Sequence, residues 1–187
     1  MRTKTRILTT IALSVAINIV GSKISLFLSL PIFLDSIGTI LAGAALGPIA
    51  GLATALVGGL VNGALGDIYS IYFAPSGMIM GLLAGVILHH KKVSIPSVVW
   101  RTACISLPAS FVSALISTYV FGGVTSALLT TTIIQGLSKT VMDLFTSAFV
   151  TQAVTDYVDK LIAVILTLVI MKRIPHGMLY FADKDKR

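Results

Sequence analysis

Apolar residues gather into six runs, 6–29, 35–47, 48–66, 73–90, 95–121 and 156–172, separated by polar or Gly/Pro-bearing joints. A helix needs about 20 apolar residues to cross the hydrocarbon of a bilayer, so most of these runs read as membrane spans. The second run is short. Gly47-Pro48 divides it from the third, which predicts a tight turn between two helices. A short span costs little where neighbouring helices cover it or the bilayer thins. The first run follows a basic start at Arg2, Lys4 and Arg6 and resembles the front of a signal peptide, but it passes into Gly21-Ser22-Lys23 without a small-residue cleavage site. It reads as a retained first helix. The pattern predicts an all-α, six-helix transmembrane bundle, a single integral membrane domain over residues 1–187.

Charge sets the expected orientation. Arg2, Lys4 and Arg6 precede the first helix, Lys91 and Lys92 follow the fourth, and Arg101 opens the fifth. Lys172 and Arg173 end the last helix, and Lys184, Lys186 and Arg187 lie beyond it. With both termini cytoplasmic, 11 of the 14 basic residues fall inside, leaving Lys23, Lys139 and Lys160 outside or at the outer interface. That bias is the one that orients membrane proteins. The stretch 122–155 is the exception. It is apolar enough to span, yet carries Gln135, Lys139, Asp143 and Gln152, and a single crossing would move Lys172 and Arg173 outside. An outer-side helical hairpin before the last helix keeps the parity even. Irregular backbone at membrane depth is tolerated only where protein or a water-filled cavity satisfies it, so this hairpin implies a cavity nearby.

Composition narrows the function classes. The chain is 56% hydrophobic and 11% charged, with mean hydropathy +0.97, against about 25% charged in soluble domains. The net charge of +7 could suggest nucleic acid, but the charges sit in short clusters between apolar runs and serve better as topology signals. A lone cysteine, Cys104, excludes an intramolecular disulfide and any multi-cysteine metal site. No Gly-Lys-Ser/Thr occurs, which removes a phosphate-binding loop, and the His-Glu-x-x-His metal pattern is absent. His89 and His90 stand beside Lys91 and Lys92 and read as a solvated face. Ala74-Pro75-Ser76-Gly77 is a poor match to the Gly-x-Ser-Gly of intramembrane serine proteases, since the first glycine is missing. No cofactor, no metal and no catalytic residue is expected.

What remains is a polar set in the outer half. Asn18 lies in helix one, Asp35 and Thr39 open helix two, and Asn62 lies near the outer end of helix three. Tyr69 and Tyr72 follow, Tyr119 ends helix five, and Asp156 opens the last helix. Polar groups at membrane depth are costly and face a cavity or a partner. Convergent polar groups with aromatic walls describe a small-molecule site, so Asn18, Asp35, Thr39, Asn62, Tyr72, Tyr119 and Asp156 are the candidate substrate-binding residues. Each has a plainer alternative. Asp35 caps helix two, the tyrosines anchor the interface, and the asparagines bond between helices. For Asp159 a headgroup-level position is preferred. Glycines four apart, Gly43/Gly47, Gly59/Gly63 and Gly77/Gly81/Gly85, read as close helix packing within the bundle.

The order of these features resembles the substrate-binding S components of energy-coupling factor (ECF) vitamin transporters. The likeness rests on Leu34-Asp35-Ser36-Ile37-Gly38-Thr39-Ile40-Leu41-Ala42-Gly43, Leu46-Gly47-Pro48-Ile49-Ala50-Gly51 and Asn62. At the end come Asp159-Lys160-Leu161-Ile162 and Ile170-Met171-Lys172-Arg173-Ile174-Pro175. The resemblance implies six helices, a vitamin or precursor bound near the outer face, and a non-catalytic subunit in the bacterial plasma membrane. Its partners would be a transmembrane coupling protein and two ATPase subunits that hydrolyse ATP. It also assigns Ala12 and Ala16, in Ala12-Leu13-Ser14-Val15-Ala16, to the docking surface for the coupling protein. The form of helix two is similar to that of S components for vitamin B6 vitamers, and next for thiamine-type pyrimidines. The alternative is a self-sufficient small secondary carrier or channel; a small membrane enzyme lacks a convergent catalytic set.

Overall fold

The computed structural model describes residues 2–28, 30, 32–91, 93–140 and 142–173. Lys92, the pair Ile174-Pro175, and the basic residues Lys184, Lys186 and Arg187 used above lie outside them. The described residues form eight helices: α1 Arg2–Phe27, α2 Ile37–Leu46, α3 Pro48–Ala64, α4 Ile68–Tyr72, α5 Ala74–Leu88, α6 Ile95–Phe121, α7 Leu128–Thr140 and α8 Leu144–Arg173. Within α1 and α6, Lys4–Phe27 and Pro96–Phe121 are long and apolar enough to cross a membrane, while α2, α3 and α5 are shorter apolar helices.

α2 sits at the centre. It touches α1, α3, α5 and α8, and every residue from Gly38 to Ala45 is buried. A helix only ten residues long reaches about 15 Å, half a bilayer, and is stable there because protein covers it on all sides. Close approach makes this possible. A β-carbon at Gly51 would stand 2.3 Å from the Gly81 carbonyl oxygen, and one at Gly81 would stand 2.4 Å from the Gly51 carbonyl oxygen. Gly51 and Gly81 thus let α3 pack against α5, and Gly43 lies against Gly81 and Gly85. Gly47 makes the turn into α3 at φ 102°, a region open to glycine, and Pro48 then supplies a ready-made first helical residue.

α8 corrects the expected boundary. The last apolar run begins at 156 in the sequence, yet the helix begins at Leu144 and continues unbroken for 30 residues. Gln152, Asp156, Asp159 and Lys160 interrupt the hydropathy without interrupting the helix, because they share one inward face and are all buried. Asp143 starts the helix. Its carboxylate accepts bonds from the Thr146 backbone N–H at 3.0 Å and hydroxyl at 2.6 Å, a helix cap. Those bonds hold the Asp143 carboxyl below the usual carboxylate range. α7 packs against α8 as a separate helix.

The core lies among α2, α5, α6 and α8, around Ile40, Met80, Ala84, Ile105, Ala109 and Val164. Ala12 and Ala16 are exposed on α1, on the same side as Leu8 and Val20, which are exposed by 67% and 58%. Such an oily outer surface suits lipid or a partner helix.

Candidate functional site

Near the end of the bundle where α1 leads into α2 and α3 into α4, the helices part around a cavity of about 130 Å³. Its wall includes Asn18 of α1, Asp35 and Thr39 beside and within α2, Asn62 of α3, and Asp156 of α8. Five of the seven candidate binding residues are therefore brought to one space. Tyr72 and Tyr119 are not among its lining. Tyr72 packs edge-on against Phe121 at 5.2 Å between ring centroids, and Tyr119 is 77% exposed. The aromatic rings that do line the cavity are Phe33 and Phe73.

Where Asn18 meets α2, the wall is neutral and closed upon itself. Ser36 is the N-cap residue of α2, yet its side chain makes no capping bond. The helix still has N–H groups in its first turn that need acceptors. Asn18 supplies one from the neighbouring helix: its Oδ1 accepts the Gly38 N–H at 2.7 Å, and its Nδ2 donates to the Thr39 hydroxyl at 2.8 Å. Only glycine fits at position 38, where a β-carbon would lie 1.9 Å from the Ser14 carbonyl oxygen and 2.8 Å from Asn18 Oδ1. Asp35 does not cap α2, contrary to the simpler sequence reading; its side chain is exposed and borders the cavity.

On the α3–α4 side, Asn62 Nδ2 donates to Ser22 at 3.1 Å, Ser70 at 2.7 Å and Asp67 at 3.3 Å. This ties α1, α3 and α4 together. Asn62 Oδ1 is buried with no hydrogen-bond partner among the described residues.

The α8 wall is charged. Lys160 Nζ lies 2.8 Å from Asp159 Oδ2 and 3.5 Å from Asp156 Oδ1. Asp159, read from sequence as a headgroup-level residue, is 1% exposed. It accepts the Leu34 N–H at 3.0 Å and the Ser36 hydroxyl at 3.2 Å, which explains why Ser36 does not cap its own helix. Leu34 sits at φ 51°, unusual for a residue with a β-carbon, and the bond to Asp159 holds it there. Asp159 thus latches the segment bearing Phe33 and Asp35 onto α8. Lys160, assigned by sequence to the outside or outer interface, is 7% exposed within the bundle. The Ser110 hydroxyl of α6 donates to Asp156 at 2.7 Å.

Gln152, one of the outer polar residues in the sequence, and Lys160 are not among the candidate binding residues, and both line the cavity. The available signal was spacing. Gln152, Asp156 and Lys160 recur every four residues with Asp159 beside them, one helical face, and Thr102, Ser106 and Ser110 repeat the same interval on α6 and are fully buried. Ser76, from the motif compared with serine proteases, donates its hydroxyl to the Ala109 carbonyl at 2.8 Å and so ties α5 to α6.

Residues 6–181 match the model of the family described as "ECF transporter, substrate-specific component". No curated protein matches the chain.

Proposed function

The chain belongs to the substrate-specific components of ECF transporters, and from that premise we propose that it captures a small vitamin or vitamin precursor at the outer face and delivers it inward. The bundle end that carries the cavity is then the outer one, both termini are cytoplasmic, and α7 with the start of α8 forms the outer hairpin of a six-span multi-pass subunit in the bacterial plasma membrane. The family implies a transmembrane coupling protein and ATPase subunits as partners. The subunit itself performs no chemistry, and ATP is hydrolysed by two ATPase partners.

The observation that carries this reading is the cavity, a polar hollow of about 130 Å³ inside an oily bundle. Cavities of ~150 Å³ admit one benzene-sized ring, so the space favours a single-ring compound over a multi-ring one. A vitamin B6 vitamer is the preferred ligand, with a thiamine-type pyrimidine next. Asp35, Thr39, Asn62 and Asp156 supply the polar contacts, Asn18 holds Thr39 in place behind them, and Phe33 and Phe73 supply the aromatic surfaces. Ala12 and Ala16, small and exposed on α1, form the docking groove for the coupling protein, since small side chains let helices approach closely.

The test is reconstitution. The chain alone in liposomes is expected to bind a ligand from a vitamin panel without transporting it, and to transport only with the ATPase module and ATP. Uptake by the chain alone, without ATP, would instead identify a self-sufficient carrier. Ala12→Trp and Ala16→Trp are expected to abolish module-dependent uptake while leaving ligand affinity intact; parallel loss of both would reject the docking role.

A further inference from the structure

The cavity's charges do not balance. Asp35, Asp67, Asp156 and Lys160 line it, and Asp159 stands directly behind Lys160. Four carboxylates face one ammonium, three negative charges in excess when all are ionised. Lys160 is committed to Asp159 and Asp156. The Asp67 carboxylate is held by Asn62 and Ser70. Asp35, exposed at the border of the cavity, is not ion-paired to Lys160 as Asp156 and Asp159 are. A cavity with an excess of one sign of charge attracts a ligand of the other sign.

A second observation points to a ligand independently of charge. Gln152 is 4% exposed, lines the cavity, and has no hydrogen-bond partner for either amide atom among the described residues. A buried amide with both ends unused is rare in folded proteins. It sits one turn before Asp156 on the same face of α8. Together they present a donor, an acceptor and, at the next turn, a carboxylate.

We infer that the ligand is an organic cation: a single heteroaromatic ring carrying a protonated amine or a cationic ring nitrogen, whose charge faces Asp35 and Asp156 and whose donor–acceptor edge meets the Gln152 amide. A metal ion does not fit this arrangement, because among the described residues no three carboxylate, histidine or cysteine side chains gather as ligands, and Lys160 stands between Asp156 and Asp159. Phe33 and Phe73 line the same cavity, and aromatic rings suit a cation as well as a flat ring. Anionic forms, phosphate esters or ring carboxylates, are excluded by the same charges. The inference rests on the transporter reading above and adds to it the sign of the ligand's charge.

The experiment uses the full chain in nanodiscs and three single-ring pyridines matched in size: an aminomethyl compound (pyridoxamine), its hydroxymethyl counterpart (pyridoxine) and its carboxylate counterpart (pyridoxic acid). The same three substituents are then tested on a pyrimidine ring. On at least one ring the amine is expected to bind at least about tenfold tighter than the alcohol, the scale of one hydrogen bond to a charged group, and the carboxylate not at all. Asp35→Asn, which removes charge and keeps shape, is expected to weaken the amine about tenfold while changing the alcohol less than about threefold. Gln152→Leu is expected to weaken both equally. Binding of the alcohol or the carboxylate as tightly as the amine, an Asp35→Asn effect equal on amine and alcohol, or no binding by any of the six compounds overturns the inference. Preference for a neutral or anionic ring leaves the transporter reading standing; uptake by the chain alone is the result that removes that reading.

Discussion

Of the three buried amides that line the cavity, Asn18, Asn62 and Gln152, the first and the last do opposite things. Asn18 is 6% exposed, and both ends of its side chain are bonded into α2, to the Gly38 N–H and the Thr39 hydroxyl. Gln152 is 4% exposed, and neither end is bonded among the described residues. The residue types and the depth are alike; the difference is whether a neighbour completes the hydrogen bonds. Asn18 is part of how the bundle holds together, because it caps a helix whose own N-cap serine has been given to Asp159. The Gln152 side chain adds nothing to the hydrogen bonding of the described residues and keeps its polarity for what enters the cavity. A polar residue in an apolar helix is therefore not a site by itself; its partners decide.

The largest effect is expected at the latch that joins the two walls. Asp159→Ala leaves Lys160 with one carboxylate at 3.5 Å and frees the Leu34 N–H and the Ser36 hydroxyl. Removing one partner of a buried ion pair costs about 3–5 kcal/mol, so the thermal midpoint in detergent should fall steeply and ligand binding should be lost with it. An unchanged midpoint would mean that Leu34 and Ser36 are held by something other than Asp159. Asn18→Leu comes next. Interhelical hydrogen bonds in membranes average only about 0.6 kcal/mol, but here the Gly38 N–H also loses its cap, so a loss of about 1–3 kcal/mol is expected. The same thermal measurement checks it; a loss of under about 0.5 kcal/mol, within the usual range for a harmless surface change, would show that Asn18 is no cap.

This contrast also explains what the sequence disclosed. Asp35-Ser36-Ile37-Gly38-Thr39 was legible as a polar helix start beside a cavity, and Gly47-Pro48 as a turn, because both signals are local. The close glycine contacts were legible as spacing. The partners were not. Nothing near Asn18 in the sequence says that its amide caps a helix 20 residues away, and nothing near Asp159 says that its carboxylate meets Leu34 across 125 residues. Hydropathy also misplaced the start of α8. An averaged window cannot tell a charge facing lipid from one facing a cavity, whereas the four-residue recurrence of Gln152, Asp156 and Lys160 separates them. Tyr119 shows the reverse limit: its type fits an aromatic wall, and only its direction in space, 77% exposed, sets it apart from Phe33 and Phe73.

The smallest stability effect is expected at Gln152, and it sharpens the contrast most. Replacing an unpaired buried amide by an apolar side chain of similar volume removes a desolvation cost without breaking a bond, since the Gln152 side chain makes none among the described residues. Gln152→Leu should therefore leave the thermal midpoint of the ligand-free protein unchanged or raise it, by up to about 1 kcal/mol. The same substitution should weaken ligand binding about tenfold, the scale of a hydrogen bond left unmade. Stability and affinity thus move in opposite directions at Gln152 and fall together at Asn18 and Asp159. If Gln152→Leu destabilised the protein as Asn18→Leu does, Gln152 would be a bonded structural amide like Asn18, and the division of the cavity into a built wall and a binding wall would fail.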